Sequence, residues 1–503
     1  MAERRTEQAH SRPKGMGRAL LWTAGSLVVP GIAHLRTGHR LAGGLILACY
    51  LLLVGGAVTA ALLLSGDLLQ GARMAVQGRW LLTASVVAFV LAVLWMTVVI
   101  HSYLITRPPG SRGFHRFLAG SMVTVLCLVV ATPAAAVVYT SYTAYDTLST
   151  VFGDALAQPH DASDPWNGQE RVNVLLLGGD SGDNRYGMRT DSMMVASIDV
   201  EHGDVMLIGL PRNLENVPFP EGTALAERYP APYGFDDLLN EVYQTVVEDE
   251  TLAINPDVQD PAADTLKQVI GGAVGLDIEY YMLVDMQGFE DLIDAIGGIE
   301  VLIEEPLEYG QRGEVLEPGL RTLNGEEALW YGRTRVNSDD YSRMGRQGCL
   351  IKYVAQQANP TTILTSFQGL AGATKRTLRT DVPQAKIPHF VDLAELVASG
   401  DMETLQLSPP QVDTAYPDWE RIHELVDDAV RDQENAREPV DAQATPGAAS
   451  GPEPSPSASP SDPAADPSDT TEWQDYTGLN EPSPTSPGRQ VGEDATSLDA
   501  LCP

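Results

Sequence analysis

One segment of the chain places four arginines within fourteen residues, among two aspartates and a glutamine: Arg333, Arg335, Asp339, Asp340, Arg343, Arg346 and Gln347. The guanidinium group holds five N–H donors in a rigid fork that fits pairs of phosphate oxygens. Clustered arginines repel one another unless an anion lies among them. The segment therefore predicts a site for a doubly charged anion such as pyrophosphate. The alternative is a solvated helix face with ion pairs.

The spacing within the helix predicted at Asp340–Gln357 favours the anion site. Arg343 and Gln347 are four residues apart and share a face of the helix. The same stripe continues through Leu350 and Val354, which are apolar. Arg343 and Gln347 therefore begin the buried face, where a charge is costly unless it is paired or binds an anion.

Two further segments carry residues suited to phosphate and metal chemistry. Residues 178–191, GGDSGDNRYGMRTD, follow a predicted buried strand and contain Asp180, Arg189 and Asp191. Ligand sites of α/β proteins lie at such strand ends, and Mg²⁺ binds through one or two carboxylates plus substrate phosphates. Arg212 follows the strand VMLIGL and lies beside the first segment if the two strands are neighbours. An ordinary Asp/Gly turn that binds nothing is the alternative.

The 503-residue chain divides into a basic and an acidic part. Residues 1–140 contain 12 Lys and Arg but 3 Asp and Glu, whereas the remainder has a net charge of −43. An acidic domain repels DNA and RNA at long range, so nucleic acid is excluded as a partner. The division indicates a chain that occupies two compartments.

Three apolar runs reach the ~20 residues needed to span a bilayer, namely Ala42–Leu64, Leu81–Ile105 and Phe117–Tyr139. A fourth run, Ala19–Leu35, is shorter and contains Pro30 and Gly31. Arginines flank this run on both sides, and positive flanks favour the cytoplasm. The run is therefore predicted to lie at the membrane without crossing it.

Three crossings predict a multi-pass protein of the cell membrane. Residues 1–41 would be cytoplasmic, residues 42–139 would form the three transmembrane helices, and everything after about residue 140 would be extracytoplasmic. Four crossings would instead place the acidic part in the cytoplasm, and the pattern of positive loops disfavours that alternative.

After a connector at residues 140–169, residues 170–436 have the pattern of an α/β domain. Short apolar runs such as VNVLLLGG and VMLIGL predict buried strands, and they alternate with predicted helices. This alternation predicts a sheet with helices on its faces. Residues 437–503 are rich in Pro, Ser and Asp, which predicts a disordered tail.

Five segments in order resemble the LytR–CpsA–Psr family: GGDSGDNRYGMRTDSMM, PRN, DLLNEVY, VDMQGFEDLIDAIGGIEV and LNGEEALWYGRTRVNSDDYSRMGRQ. The resemblance covers roughly residues 170–430, and the multi-span start and PRNLENVPFP are similar to the actinobacterial branch. It implies an extracytoplasmic α/β/α sandwich domain acting in cell-wall assembly. Such a domain would be a Mg²⁺-dependent phosphotransferase, which moves a glycopolymer from a polyprenyl-pyrophosphate carrier to peptidoglycan and forms a phosphodiester.

The resemblance also implies roles for individual residues. Asp180 and Asp191 match carboxylates near the metal, and a catalytic role is implied for Asp191, Arg189 and Arg212. Pyrophosphate binding is implied for five residues of the opening segment, which are Arg333, Arg335, Asp340, Arg343 and Gln347. Whether Asp180 or Asp191 accepts a proton or only holds the metal stays open.

The chain departs from the family pattern at two places. Asn213 stands where the family usually has an aspartate, and Leu239 precedes Asn240 where the family often has a lysine. The family also implies an apolar cavity for the lipid. Four residues are expected to line or border it, with a packed core as the alternative at each position: Met282, Val284, Leu350 and Val354.

No Ser-His-Asp or Cys-His arrangement is visible in the sequence, so a sugar hydroxyl is expected to attack directly, without a covalent intermediate. Two other functions stay open. One is a pyrophosphatase that releases the glycopolymer by using water as the acceptor. The other is a non-catalytic wall-binding or regulatory membrane protein, against which the full set of carboxylates and arginines argues.

Two of the four cysteines, Cys49 and Cys127, lie in apolar runs, whereas Cys349 and Cys502 lie in the acidic part. Their spacing does not match a zinc site. An extracytoplasmic compartment permits disulfides. Cys349 and Cys502 are therefore predicted to pair, and two free thiols are the alternative.

Overall fold

The structure is a computed structural model. It describes residues 16–66, 78–107, 113–151, 164–180, 188–310, 313–335, 339–357, 378–436, 487–490, 492 and 494–502.

Five described helices come first along the chain: α1 (Met16–Val28), α2 (Ile32–Arg36), α3 (Arg40–Gly66), α4 (Gly78–Thr106) and α5 (Gly113–Val151). Of the described helices, three contain a span long and apolar enough to cross a membrane, at Arg40–Thr59, Trp80–Thr106 and Phe117–Asp146. The three long apolar helices predicted from the sequence are thus confirmed.

The fourth apolar run is broken into the two short helices α1 and α2. Gly31 joins them with a φ of 95°, which side chains with a Cβ rarely adopt. A Cβ on Gly31 would also lie 2.6 Å from the carbonyl oxygen of Gly43, so glycine allows α2 to pack closely on α3. α1 has 13 residues and α2 has five, so neither reaches the length of a membrane span.

The rest of the chain contains eleven described strands: β1 (Arg171–Asp180), β2 (Arg189–Asp199), β3 (Val205–Leu210), β4 (Tyr280–Asp285), β5 (Ile299–Ile303), β6 (Leu307–Tyr309), β7 (Glu314–Leu316), β8 (Gly319–Leu323), β9 (Leu378–Thr380), β10 (Met402–Gln406) and β11 (Thr496–Ser497). Seven of them form one sheet in the order β11-β10-β3-β2-β1-β4-β9. β5 pairs with β8 and β6 pairs with β7 in two small separate sheets.

Helices cover both faces of the large sheet: α6 (Ala224–Arg228), α7 (Val242–Glu248), α8 (Pro261–Val274), α9 (Met286–Ala295), α10 (Gly325–Arg333), α11 (Asp340–Gln357), α12 (Ile387–Val397), α13 (Trp419–Asn435) and α14 (Leu498–Leu501). Successive residues of β2 enter different cores, since Met193 packs with α7, α8 and α13 and Met194 packs with α10 and α11. The predicted α/β/α sandwich is confirmed.

The strand directions gather the predicted site at one edge of the sheet. β1 runs parallel to β4 and β3 runs parallel to β10, whereas β2 is antiparallel to both β1 and β3. The end of β1 at Asp180, the start of β2 at Arg189 and the end of β3 before Arg212 therefore meet at the same edge. β1 and β3 are not the direct neighbours that the prediction assumed. β2 lies between them, and its start brings Asp191 beside the end of β3.

The prediction of a disordered tail is wrong for the last described residues. β11 pairs with β10, and Leu498 of α14 is fully buried in the core beside α11. The reason is local composition, because the sequence SLDALC at 497–502 has the apolar side chains that the preceding stretch lacks. Residues 437–486 lie outside the described part of the chain.

Cys349 and Cys502 form a disulfide across a sequence separation of 153 residues. The predicted pairing is confirmed. Both cysteines are buried in the core that contains Leu498 and Leu350. The bond therefore joins the middle of α11 to the end of the described chain.

Replacing Cys502 by serine should destabilise the protein. A closed loop of 153 residues restricts the unfolded chain, which corresponds to a stabilisation of up to about 5 kcal/mol in the chain-entropy model. We expect Cys502→Ser to lower the Tm of the solubilised full-length chain without reductant, whereas Cys49→Ala, a free cysteine of α3, serves as the matched control. Equal Tm values for Cys502→Ser and wild type would contradict this expectation.

Candidate functional site

A β-bulge sets Asp191 into the site. In the pairing of β1 with β2, Gly178 lies opposite Ser192 and Gly179 lies opposite Thr190, which leaves Asp191 as the extra residue of β2. Bulges redirect side chains away from the regular alternation and are frequent beside functional sites. A Cβ on Gly178 would lie 2.9 Å from the Cβ of Ser192, so glycine keeps the strands close at this point.

Asp191 is held by three polar side chains. Its Oδ1 accepts hydrogen bonds from Arg212 Nη1 at 3.2 Å and Asn240 Nδ2 at 2.9 Å, and its backbone carbonyl accepts one from Arg343 Nη2 at 3.1 Å. Burial alone would raise the pKa of Asp191, but the charge of Arg212 and the hydrogen bond from Asn240 outweigh it and lower that pKa. Asp191 is therefore ionised at neutral pH.

Asp340, at the first position of α11, is shared by three arginines. Its Oδ2 accepts a hydrogen bond from Arg212 Nε at 3.0 Å. Its Oδ1 lies 2.6 Å from Arg335 Nε and 3.9 Å from Arg343 Nε. The carboxylate of Asp340 thus brings together the guanidinium groups of Arg212 after β3, Arg335 after α10 and Arg343 on α11.

Arg343 is the most confined of these arginines. Its side chain is 7% exposed, and its Nε has no hydrogen-bond partner among the described residues. Burial lowers the pKa of Arg343 to about 10. The positive charges of Arg335 and Arg212 also lower it, whereas the negative charge of Asp340 raises it. A buried cation with an unused donor is costly, and a bound anion would offset that cost.

Gln347 and Arg346 fix the backbone around the arginine cluster, which consists of Arg212, Arg335 and Arg343 around Asp340. Ser192 Oγ donates to Gln347 Oε1 at 3.0 Å, and Gln347 Nε2 donates to the carbonyl of Gly332 at 3.1 Å, which ties β2 to the end of α10. Arg346 donates through Nε to the carbonyl of Tyr331 at 2.9 Å. Arg346 thus binds backbone carbonyls at the end of α10, where a cation is favourable.

Two ion pairs border the cluster. Arg333 Nη2 lies 3.6 Å from Asp180 Oδ2, and Arg189 Nε lies 2.8 Å from Glu241 Oε1. Both arginine side chains are partly exposed, at 39% and 52%. They can therefore reorient toward a ligand at little cost in desolvation.

The structure joins five of the predicted site residues in one network, which are Asp191, Arg212, Arg335, Asp340 and Arg343. Gln347 contacts this network through Ser192, whereas Arg333 with Asp180 and Arg189 with Glu241 form separate pairs. The chemical roles of these residues remain predictions.

Asn240 contacts Asp191 directly, and no site role was predicted for it. Asn240 is 2% exposed, and its Oδ1 is buried without a hydrogen-bond partner among the described residues. A polar residue between the apolar Leu239 and Val242 was the available signal. The short 3-10 helix Leu239–Glu241 directs this side chain toward the start of β2.

The residues at this edge fit a magnesium ion that is completed by a ligand. The described part of the chain contains no group of three or more His, Cys, Asp and Glu side chains that would hold a metal alone. Asp180 and Asp191 would supply carboxylates, and Asn240 Oδ1, which has no hydrogen-bond partner among the described residues, would supply an amide oxygen beside Asp191. Mg²⁺ prefers such oxygen ligands, with water and phosphate in the remaining positions.

For the lipid cavity, the four expected lining residues differ in burial. Leu350 is 5% exposed and belongs to the core between the sheet and α11, as the packed-core alternative predicts. Met282, Val284 and Val354 are partly buried. Their contact with a lipid stays a prediction.

The fold defines a class of protein, an α/β/α domain with an arginine-lined edge that follows three helices of membrane-spanning length. A profile of the LytR_cpsA_psr family matches residues 137–429, which is more than half of the chain. The protein belongs to the LytR_cpsA_psr family.

Two relatives carry the name polyisoprenyl-teichoic acid–peptidoglycan teichoic acid transferase TagU. The one from Bacillus anthracis is 25% identical over 217 residues, which are 43% of this chain and 62% of the relative. The one from Enterococcus faecalis is 28% identical over 221 residues, which are 43% of this chain and 63% of the relative. The chain therefore spans less than two thirds of the length of these relatives.

Two solved structures are also similar to this chain. The protein gbs0355 from Streptococcus agalactiae is 21% identical with a TM-score of 0.40, and the match covers 53% of this chain and 92% of that protein. TagV from B. subtilis is 19% identical with a TM-score of 0.38, and the match covers 52% of this chain and 96% of TagV.

Inorganic pyrophosphate should raise the Tm of the full-length chain, and Arg343→Gln should abolish most of that rise. The variant removes a buried charge whose lowered pKa marks it as unfavourable without a ligand, so its own Tm should stay level or increase. The apparent Kd for pyrophosphate should rise about tenfold or more, as expected for a lost charge-assisted hydrogen bond.

The matched control is Arg431→Gln, which removes an exposed arginine that pairs with Asp427 on α13. It should leave the pyrophosphate-induced rise in Tm unchanged. A full response to pyrophosphate in Arg343→Gln would show that Arg343 does not bind the anion, and a sharp loss of its Tm without ligand would indicate a structural role.

Proposed function

We propose that this protein transfers a glycopolymer from a polyprenyl-pyrophosphate carrier to peptidoglycan at the outer face of the cell membrane, and that a phosphodiester forms in the transfer. The observation that carries the proposal is the cluster in which Arg212, Arg335 and Arg343 share Asp340 beside the ionised Asp191. Membership of the LytR_cpsA_psr family and the names of the TagU relatives support the same activity.

The charge of the site suits a pyrophosphate. Five guanidinium groups face four carboxylates: Arg189, Arg212, Arg333, Arg335 and Arg343 against Asp180, Asp191, Glu241 and Asp340. A bound magnesium ion would increase this positive excess and help to neutralise the phosphate oxygens. Charge stabilisation of this kind and positioning supply most of the catalysis in phosphoryl transfer.

In the proposed reaction, a peptidoglycan hydroxyl attacks the phosphorus that carries the glycopolymer, the bond to the polyprenyl phosphate breaks, and the hydroxyl proton ends on the departing polyprenyl phosphate. Arg335 and Arg343 bind the pyrophosphate, and Arg212 holds the carboxylates of Asp191 and Asp340 in place. The lowered pKa of Asp191 makes it a weak base at neutral pH, because a general base works best with a pKa near the working pH. Asp191 therefore acts mainly as a negative charge that fixes Arg212 and would hold Mg²⁺, and not as a general base.

The transfer reaction is tested with a lipid-linked glycopolymer donor and a peptidoglycan acceptor. We expect the purified full-length chain to form a covalent polymer–peptidoglycan product, and Asp191→Asn to lower the rate by about 100-fold or more and to weaken the response to Mg²⁺. Asp427→Asn, which changes an exposed helix position, is the control. Release of free polymer would identify a pyrophosphatase instead, and absence of both products would favour a non-catalytic wall-binding role.

The proposed location requires residues after about 140 to lie outside the membrane. Tyr416 is 81% exposed and offers a labelling position in a chain without Cys49 and Cys127, since Cys349 and Cys502 are bonded to each other. We expect Tyr416→Cys to react with a membrane-impermeant maleimide in intact cells. Labelling only after the cells are permeabilised would place the domain in the cytoplasm and contradict the proposal.

A further inference from the structure

The last described residues lie along α11, the helix that carries Asp340 and Arg343. This C-terminal segment is defined here by residues 487–490, 492 and 494–502. The disulfide fixes Cys502 to Cys349, and Lys352 Nζ donates to the carbonyl of Leu498 at 3.1 Å and pairs with Asp499 at 2.7 Å. The segment is therefore attached to the helix at several points.

The start of the segment contacts the helix backbone to backbone. A Cβ on Gly345 would collide with the backbone of Gly488, and a Cβ on Gly488 would collide with Gly345 in return. Gln406 Nε2 at the end of β10 donates to the carbonyl of Gly488 at 2.6 Å. These contacts fix the position of the next residue, Arg489, beside the first turn of α11.

Arg489 is buried, and its partners are at the N-terminus of α11. Its side chain is 3% exposed, and Nη1 donates to Asp339 Oδ1 at 2.7 Å and Oδ2 at 2.8 Å. Its guanidinium carbon also lies 5.2 Å from the centre of the Tyr341 ring, within the range of a cation–π contact. A long, charged side chain is thus immobilised against the residues that flank Asp340.

Asp339 acts as the N-cap of α11. Its Oδ1 accepts a hydrogen bond from the backbone N–H of Ser342 at 2.7 Å, and its carbonyl accepts one from the N–H of Arg343 at 3.2 Å. Burial would raise the pKa of Asp339, but the hydrogen bonds from Ser342 and Arg489 lower it. The cap is thus ionised and held from both sides.

We propose that Arg489 is a positioning residue of the candidate site, which acts through Asp339 to fix the first turn of α11 and with it Asp340 and Arg343. This inference rests on the proposed function. Pairing with Arg489 also keeps the carboxylate of Asp339 away from the arginine cluster. Arg335 and Arg343 therefore face one carboxylate on this helix, that of Asp340, and keep charge for the phosphate.

Arg489 lies far from the other site residues in the sequence, so no sequence pattern predicts its role. The family match ends at residue 429, and Arg489 follows a stretch rich in Pro, Ser and Asp. The contact with Asp339 spans a sequence separation of 150 residues. Only the fold places the two residues together.

The test compares four variants of the full-length chain in detergent: Arg489→Gln, Arg489→Lys, Asp499→Asn, and Arg489→Gln combined with Asp339→Asn. Two readouts are measured for each, amide hydrogen exchange in the peptide 339–347 and the kcat of glycopolymer transfer. Arg489→Gln should accelerate exchange at Ser342 and Arg343 and reduce kcat about 10- to 100-fold, because small misplacements of a site are costly.

The other variants separate positioning from general stability. Arg489→Lys keeps a charge for Asp339 and should recover most of kcat. Asp499→Asn removes another ion pair between the same segment and α11, that with Lys352, and should leave both readouts near wild type. The double variant should lose no more activity than Arg489→Gln alone, because both changes break one contact.

The outcomes distinguish the two proposals. Wild-type exchange and wild-type kcat in Arg489→Gln would overturn the inference, as would an equal loss in Asp499→Asn. If wild type forms no product, the proposed function fails. Hydrogen exchange then still decides whether Arg489 fixes the first turn of α11.

Discussion

The site depends on a carboxylate that three arginines share. Asp340 contacts Arg212, Arg335 and Arg343, and these residues come from three separate parts of the chain. Asp340 and Asp191 supply two negative charges against these three positive ones, so the network keeps a net positive charge that an anion can neutralise. The lowered pKa of Arg343 and its Nε, which has no hydrogen-bond partner in the described part of the chain, are the most direct signs of this excess. The sheet, the helix α11 and the C-terminal segment together hold these three arginines close to one another despite their mutual repulsion.

Much of the architecture follows from patterns that are local in the sequence. The apolar runs VNVLLLGG and VMLIGL predict strands, and consecutive strands usually lie side by side. The segment that contains Asp191 could therefore be placed near Arg212 in advance. The four-residue spacing of Arg343 and Gln347 likewise predicted that Arg343 lies on the buried face of its helix. These features depend on periodicity and chain order, which a sequence displays.

Other features depend on three-dimensional detail that no local pattern carries. The bulge at Asp191 arises from the register of β2 against β1, and a register is a property of two strands together. Packing between distant segments buries Arg489 and leaves Asn240 Oδ1 without a hydrogen-bond partner among the described residues. The ordered structure of the last described residues was not predicted, because the Pro- and Ser-rich composition before them is typical of disorder. Cys502 nevertheless indicated an attachment to α11.

The central claim is that the arginines around Asp340 bind the pyrophosphate of a polyprenyl carrier. It is tested most directly by an experimental structure of the protein with a short polyprenyl pyrophosphate and Mg²⁺. The account predicts phosphate oxygens within hydrogen-bond distance of Arg335 and Arg343, at about 3 Å, with the Nε of Arg343 newly engaged. A pyrophosphate bound elsewhere, with the Nε of Arg343 still unpaired, would contradict it.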